Sequence, residues 1–202
     1  RHGNYVHLFE RECSVQRRYQ KIIEEAPAAN LQEKTKENLR KIALEIAAQI
    51  QYDSVGTLEF IVDKEENIYF LEMNTRLQVE HPVTEEVTGV DLVEWQVKVA
   101  QGNPLEFSQK DIVLKGHAIE CRIYAEDPFS EFLPTQGTLI QTVDKQKFEG
   151  RLESGYEYGN SVNTSYDPML AKVIIHGETR AKAIEKTIEQ LKNVYFSGIT
   201  SN

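Results

Sequence analysis

A short run of the chain, residues 72–82, places carboxylates, amides and a guanidinium at alternating positions. Side chains of a strand alternate between two faces, so an extended backbone would put these polar groups on one face. They are Glu72, Asn74, Arg76, Gln78 and Glu80. Burying such groups without ligands is costly, so the run indicates a site for a cation and a small anion. The alternative is a solvated edge strand of mixed charge that Pro82 ends.

Two segments beside this run have the composition of a β-hairpin. Residues 54–62 and 68–73 are rich in β-forming residues, and residues 63–67 have turn composition. If the register places Glu59 near Glu72, two carboxylates converge, which is unfavourable unless a cation lies between them. Mg²⁺ suits such a pair best, because it is commonly held by one or two carboxylates plus substrate phosphates.

Helices and one strand are predicted around this hairpin. We predict a strand over Tyr5–Glu10 and an amphipathic helix over Leu31–Gln51. A second helix runs to about Ala100, with Asp91 and Glu94 as its capping box. The apolar face of the first helix contains Leu39, Ile42, Ala43, Ile46, Ala47 and Ile50.

A second section follows a boundary predicted within residues 101–115. Short strands are predicted near residues 115–124, 137–143, 150–154 and 171–176, and a last helix over Thr179 to about Tyr195. The inward face of that helix is predicted to contain Ala183, Ile184, Ile188, Leu191 and Tyr195. The fold class is therefore α+β, with helices on mainly antiparallel sheet.

Composition limits the class of protein. The net charge of −9 argues against a nucleic-acid-binding surface, which needs a basic face. No apolar run approaches the roughly 20 residues of a membrane span. Cys13 and Cys121 give neither a disulfide framework nor a metal-binding spacing, and we expect both in packed strands. The two cysteines suit a reducing compartment, and the expected location is the cytoplasm, or the mitochondrial matrix if the protein is eukaryotic.

The motifs also carry a family resemblance. Glu59 followed by Glu72-x-Asn74-x-Arg76 resembles the metal-binding strand pair of the ATP-grasp superfamily. The continuation through residue 85 resembles the biotin carboxylase component of biotin-dependent acyl-CoA and acetyl-CoA carboxylases, and three further segments agree in the family's order: 12–18, 116–128 and 166–172.

The resemblance implies two domains and a missing part. Residues 1–107 would form the C-terminal part of an ATP-grasp domain, and residues 115–202 a truncated biotin carboxylase C-terminal domain. A complete member has an N-terminal domain and a lid before this point, which supply the phosphate-binding loop. We therefore expect the chain to begin partway through a domain and to be inactive in isolation.

The resemblance also assigns roles in MgATP- and bicarbonate-dependent carboxylation of biotin. Mg²⁺ or Mn²⁺ would be held by Glu59, Glu72 and Asn74, and ATP by Gln16, Glu59 and Glu72. Bicarbonate would be bound by Arg76, Gln78, the backbone N–H of Val79 and Lys21. Glu80 matches the general base, and Arg122 matches the cation that binds biotin and stabilises its enolate-like state. The catalytic set is then Glu80, Arg76, Arg122 and Lys21.

Each assignment has a structural alternative. Gln16 and Lys21 lie in a segment of mixed charge that is commonly a solvated face. Arg122 could form a surface salt bridge. Asp167 and Lys172 could be equally structural, and His81 before a proline more often forms a hydrogen bond than catalyses.

Tyr19 departs from the family, because many bacterial members have His there and use it in the nucleotide pocket. We therefore assign Tyr19 no nucleotide contact.

The resemblance implies partners as well. Biotin would arrive on a biotin carboxyl carrier domain, a carboxyltransferase subunit would use the product, and Phe148 and Arg151 match positions of a homodimer interface. Two other functions stay open. One is another ATP-grasp carboxylate–amine ligase, and the other is a non-catalytic assembly module in which Glu59 and Glu72 bind no metal.

Overall fold

The fold is given by a computed structural model, which describes residues 3–140, 143 and 148–202. The strands are β1 Glu12–Arg17, β2 Gln20–Ala26, β3 Thr57–Val62, β4 Ile68–Asn74, β5 His117–Tyr124, β6 Glu126–Asp127, β7 Leu133–Pro134, β8 Gly137–Thr138, β9 Arg151–Ser154, β10 Ser161–Val162 and β11 Met169–Gly177. The helices are α1 Glu33–Gln49, α2 His81–Thr88, α3 Leu92–Ala100 and α4 Arg180–Leu191. A 3₁₀ turn spans Gln109–Asp111. These elements confirm the α+β class.

The chain forms two compact units. One contains the described residues up to Glu12 together with Glu25–Gly116. The other contains Cys13–Glu24 and the described residues of His117–Asn202, so an early segment belongs with the C-terminal part of the chain. The residue bounds of the two domains, 1–107 and 115–202, stay a prediction.

The first unit contains the predicted hairpin. β3 and β4 pair antiparallel, with Glu59 opposite Glu72 and a register shift just after Glu59. The Asp63 side chain closes the turn, because its Oδ1 accepts the backbone N–H groups of Glu65 at 3.0 Å and Asn67 at 2.9 Å. The hairpin prediction is confirmed, although β3 begins at Thr57 rather than at residue 54.

Two of the three helices in this unit were predicted. In α1, Leu39 is buried, but Ile50 lies just beyond the helix and is 54% exposed, so its place on the apolar face is wrong. α3 begins as predicted, because Asp91 accepts a hydrogen bond of 2.7 Å from the Glu94 backbone N–H. α2 was not predicted. Pro82 lies in its first turn, where the missing N–H removes no helical hydrogen bond.

The strand predicted over residues 5–10 is wrong. None of these residues lies in a strand, and Phe9 has a φ of 63°, which no extended backbone adopts. The strand predicted over residues 137–143 is reduced to β8, and residues 141–142 lie outside the described residues.

The second unit is built on a five-stranded sheet in the order β1-β2-β5-β11-β9. The neighbouring strands β5 and β11 pair antiparallel, and their buried apolar side chains form most of the core. α4 contributes the buried Ala183 and Thr187, whereas Ile188 is 55% exposed and Tyr195 lies beyond the helix at 40% exposed. The prediction that Ile188 and Tyr195 face inward is therefore wrong. Cys13 and Cys121 lie in strands, as predicted.

None of the helices in the described part of the chain has the length and apolarity that crossing a bilayer requires.

Candidate functional site

Glu59 and Glu72 of the hairpin share the side-chain amide of Asn74 as a hydrogen-bond donor. Asn74 Nδ2 donates to Glu72 Oε1 at 3.0 Å and to Glu59 Oε1 at 3.2 Å. Gln78 Nε2 donates to the same Glu59 oxygen at 2.6 Å. The predicted convergence of Glu59 and Glu72 is thus present, with the Asn74 amide donating to both carboxylates.

This donor set suits a small divalent cation. Two carboxylates and one amide match Mg²⁺ or Mn²⁺, which take further oxygen ligands from water or substrate phosphates. The described residues contain no group of three or more His, Cys, Asp or Glu that could hold a metal. The ion would therefore also need the Asn74 amide oxygen and oxygens from water or substrate phosphates. Asn74 would have to turn its amide by half a rotation to offer Oδ1. The ligand roles of Glu59, Glu72 and Asn74 stay predictions.

The chain beyond β4 does not remain extended. β4 ends at Asn74 and α2 begins at His81, so the single polar face expected over residues 72–80 is wrong beyond Asn74. Glu80 is the residue just before α2 and is 2% exposed. The N-terminus of a helix favours a negative charge, because its backbone N–H groups point outward there. The fold therefore provides a buried acidic position at the start of α2.

The residues between Asn74 and Glu80 differ in exposure. Arg76 is exposed and its Nη1 donates to the Leu77 carbonyl at 3.2 Å. Gln78 is 6% exposed, and its backbone carbonyl oxygen lies 2.7 Å from His81 Nδ1. Val79 is half-buried. His81 thus makes a structural contact, as predicted.

Arg11 is part of this network, and sequence reasoning missed it. Its Nη1 donates to Thr84 Oγ1 at 2.9 Å, and its Nη2 donates to Thr57 Oγ1 at 3.0 Å and to Gln78 Oε1 at 2.7 Å. The partners lie 46 to 73 positions away along the chain, so no local pattern indicates them. The one available signal was a charged residue directly before the family-like segment at Glu12.

Arg122 lies on β5 in the second unit and forms a buried ion pair. Its Nη2 lies 2.5 Å from Glu24 Oε1, and the two side chains are 11% and 0% exposed. Burial alone would lower the pKa of the Arg122 guanidinium, but the Glu24 carboxylate and Tyr124 raise it above its usual value. The surface salt bridge considered for Arg122 is therefore wrong. Arg122 is a permanently charged group held by a buried carboxylate, and sequence reasoning missed Glu24.

The other predicted residues of the second unit are more open. Lys21 on β2 is half-buried. Gln16 on β1 is exposed, and its Nε2 donates to the Cys13 carbonyl at 3.0 Å. Tyr19 is 98% exposed in the turn that follows β1.

Lys172 and Asp167 make contacts that suit the structural alternative. Lys172 Nζ lies 2.6 Å from Glu153 Oε2, and Asp167 Oδ1 accepts the Met169 backbone N–H at 2.8 Å.

Two family models match the chain. Residues 1–108 match the carbamoyl-phosphate synthase L chain, ATP binding domain. Residues 120–202 match the biotin carboxylase C-terminal domain.

Two relatives of known name align with this chain over its whole length. Biotin carboxylase 2 of Bacillus subtilis (strain 168) is 52% identical over 201 residues, which is 100% of this chain and 45% of that protein. The mitochondrial methylcrotonoyl-CoA carboxylase subunit alpha of Arabidopsis thaliana is 50% identical, over 100% of this chain and 28% of its own length. The chain thus spans less than half the length of these relatives.

Solved structures have the same fold. The biotin carboxylase domain dimer of the Hydrogenobacter thermophilus 2-oxoglutarate carboxylase, in complex with MgADP, ADP and bicarbonate, matches with a TM-score of 0.94 and 43% identity. The match covers 98% of this chain and 44% of that one. The biotin carboxylase subunit of a pyruvate carboxylase matches with a TM-score of 0.94 and 44% identity, over 99% of this chain and 44% of that one.

Proposed function

We propose that this chain supplies the metal-binding, bicarbonate-activating and biotin-stabilising residues of an ATP-dependent biotin carboxylase. The chain belongs to the biotin carboxylase family. The reaction would join bicarbonate to N1′ of biotin while ATP is cleaved to ADP and phosphate. The observation that carries the proposal is the pairing of Glu59 with Glu72 across the hairpin, with the buried Glu80 directly before α2. The relatives are longer than this chain, so the complete reaction would need their remaining residues.

Glu59, Glu72 and Asn74 would hold the metal ion. When bound, Mg²⁺ or Mn²⁺ neutralises the charge that develops on the phosphates of ATP. Glu59 and Glu72 would also fix the position of the nucleotide through that ion, and Gln16 would contact ATP.

Arg76, Gln78, the Val79 backbone N–H and Lys21 would bind bicarbonate. A guanidinium fork matches the planar anion, and amide donors fix its orientation. Glu80 would take the bicarbonate proton, so that an oxygen of the resulting dianion attacks the γ-phosphorus and ADP leaves. The product, carboxyphosphate, breaks its carbon–oxygen bond to give carbon dioxide and phosphate.

Arg122 would act on biotin. The released phosphate takes the N1′ proton, negative charge moves to the ureido oxygen, and N1′ attacks carbon dioxide. A fixed cation at the ureido oxygen stabilises this state. The buried Glu24 carboxylate keeps the Arg122 guanidinium charged and oriented.

The proposed partners follow from this reaction. Biotin would be presented by a carrier domain, and a carboxyltransferase subunit would receive the carboxyl group and pass it to an acyl-CoA. A homodimer and a cytoplasmic or mitochondrial matrix location belong to the same proposal. Because the carboxyltransferase subunit would bind the acyl-CoA, the residues of this site would not select the acyl-CoA acceptor.

Replacement of Glu80 tests the proposal. In the full-length protein, Glu80→Gln should lower bicarbonate-dependent ATP cleavage with free biotin by about 10²- to 10⁴-fold, because the general base is lost. ADP release by a coupled assay measures this effect. Glu94→Gln, an exposed carboxylate of α3, is the matched control and should leave the rate unchanged. Normal activity in the Glu80 variant would remove the base assignment.

Two further measurements separate the alternatives. Biotin dependence of ADP release distinguishes a biotin carboxylase from another ATP-grasp ligase with an amine or carboxylate substrate. Mn²⁺ titration followed by paramagnetic relaxation, with Glu59→Ala/Glu72→Ala as the control, tests the non-catalytic assembly module. Equal relaxation in both proteins would favour that module.

A further inference from the structure

Arg11 contacts three side chains from different parts of the first unit. Thr57 lies on β3, Thr84 on α2, and Gln78 in the segment between β4 and α2. The guanidinium therefore links the strand that contains Glu59 to the helix that follows Glu80. Nothing in the reaction proposed above uses Arg11.

The contact with Gln78 fixes which way its amide points. Arginine only donates hydrogen bonds, so the atom of Gln78 that faces Nη2 at 2.7 Å must be the oxygen. The nitrogen then faces Glu59 Oε1 at 2.6 Å, where a carboxylate can only accept. Both ends of the amide are satisfied in this orientation, and the opposite orientation would place donor against donor and acceptor against acceptor.

We propose that Arg11 is a positioning residue, which holds the Gln78 amide so that its N–H donors orient the Glu59 carboxylate for the metal ion. This inference rests on the proposed function, because it takes Glu59 as a metal ligand. Hydrogen bonds to a ligating carboxylate fix its orientation, and their removal commonly weakens metal binding by 10- to 100-fold. Arg11 acts on the metal only through Gln78.

Mn²⁺ binding to the full-length protein tests the proposal without relying on turnover. Free Mn²⁺ is followed by electron paramagnetic resonance in wild type, Arg11→Met, Gln78→Ala and the double variant. We expect Arg11→Met to raise the Kd of Mn²⁺ about tenfold. In the Gln78→Ala background the same change should have less than about a twofold effect, because the residue through which Arg11 acts is gone.

Two further variants separate positioning from general stability. Thr84→Val removes one Arg11 hydrogen bond from a buried position with little change in shape, and should lower the melting temperature while leaving Mn²⁺ affinity within about twofold of wild type. Arg11→Lys can still donate to Gln78 Oε1 and should restore part of the affinity.

An unchanged Kd in Arg11→Met, or the same fold-loss with and without Gln78, would overturn the proposal. Bicarbonate-dependent ADP release by the wild-type protein is measured beside these titrations. Its absence would overturn the proposed function, whereas the Mn²⁺ comparison would still decide the role of Arg11.

Discussion

A single oxygen of Glu59 accepts hydrogen bonds from two amide groups, those of Asn74 and Gln78. Amide donors supply partial positive charge, and a divalent cation supplies far more at the same position. We therefore expect cation binding to turn the Asn74 amide, while Arg11 holds that of Gln78 in place. The two amides should therefore respond differently to a bound cation, although both donate to the same carboxylate oxygen.

The pKa of the Cys121 thiol is strongly affected by the interior of the second unit. Burial first, and then the Glu24 and Glu120 carboxylates, raise the pKa of its thiol to about 12. The thiolate is the reactive form of cysteine, and at pH 8 only about one thiol in 10⁴ would be ionised at that pKa. Cys13 is half-buried on β1.

We predict that Cys121 resists alkylation in the folded protein. With iodoacetamide at pH 8, mass spectrometry of peptides should show Cys121 unmodified under native conditions and modified in urea, where its pKa returns to about 8.5. Cys13 provides the internal comparison. Equal labelling rates for the two cysteines without denaturant would contradict the prediction.

At the scale of elements, the β11–β9 pair contains a cross-strand ion pair. Lys172 lies opposite Glu153 in the register, and Arg151 also contacts the Glu153 carboxylate. Burial acts to raise the pKa of Glu153, but Lys172 and Arg151 outweigh it and lower the pKa below its usual value. Because the folded state has the lower pKa, the stabilisation is present above the unfolded value and is lost as the pH falls through the folded value.

Glu153→Gln should therefore remove a stabilisation that exists at neutral pH and fades in acid. We expect the variant to lose less than about 1 kcal/mol of unfolding free energy at pH 7, since the carboxylate is partly exposed. The difference from wild type should shrink as the pH falls below about 4.5, the ordinary glutamate pKa, and through the lower pKa of the folded state. Urea unfolding at several pH values measures it, with the exposed Glu157→Gln as control. A difference that is constant with pH would contradict this account.

At the scale of the whole molecule, the net charge of −9 sets long-range interactions. Polyanion binding needs lysine and arginine side chains to replace condensed counterions, and an acidic chain is repelled instead.

The protein should therefore show no saturable binding to duplex DNA at about 0.15 M salt and up to about 100 μM protein. Fluorescence polarisation of a labelled duplex tests this, with a basic DNA-binding protein as positive control. Saturable binding that weakens with added salt would show a local basic surface that the net charge does not reveal.

Local patterns predicted several elements well, for identifiable reasons. The hairpin, α1 and α3 were predicted because β-forming residues, a turn with Asp63, a 3.6-residue periodicity and the Asp91 cap all act over short distances. The pattern of 72–80 failed beyond Asn74, because alternation alone does not show where a strand gives way to a helix. Phe9 adopts a positive φ that residue type did not indicate.

The sequence by itself determined the family, the α+β class and the residue types of the site, because these depend on identity and spacing along the chain. Only the tertiary structure decided that Glu59 lies opposite Glu72, that Arg11 donates a hydrogen bond to Gln78, and that Arg122 is paired with the buried Glu24. It also decided that Cys13–Glu24 belongs with the C-terminal unit. The physical reason is that these contacts join residues far apart in the chain, and their energies depend on distance and burial in space, which no local pattern specifies.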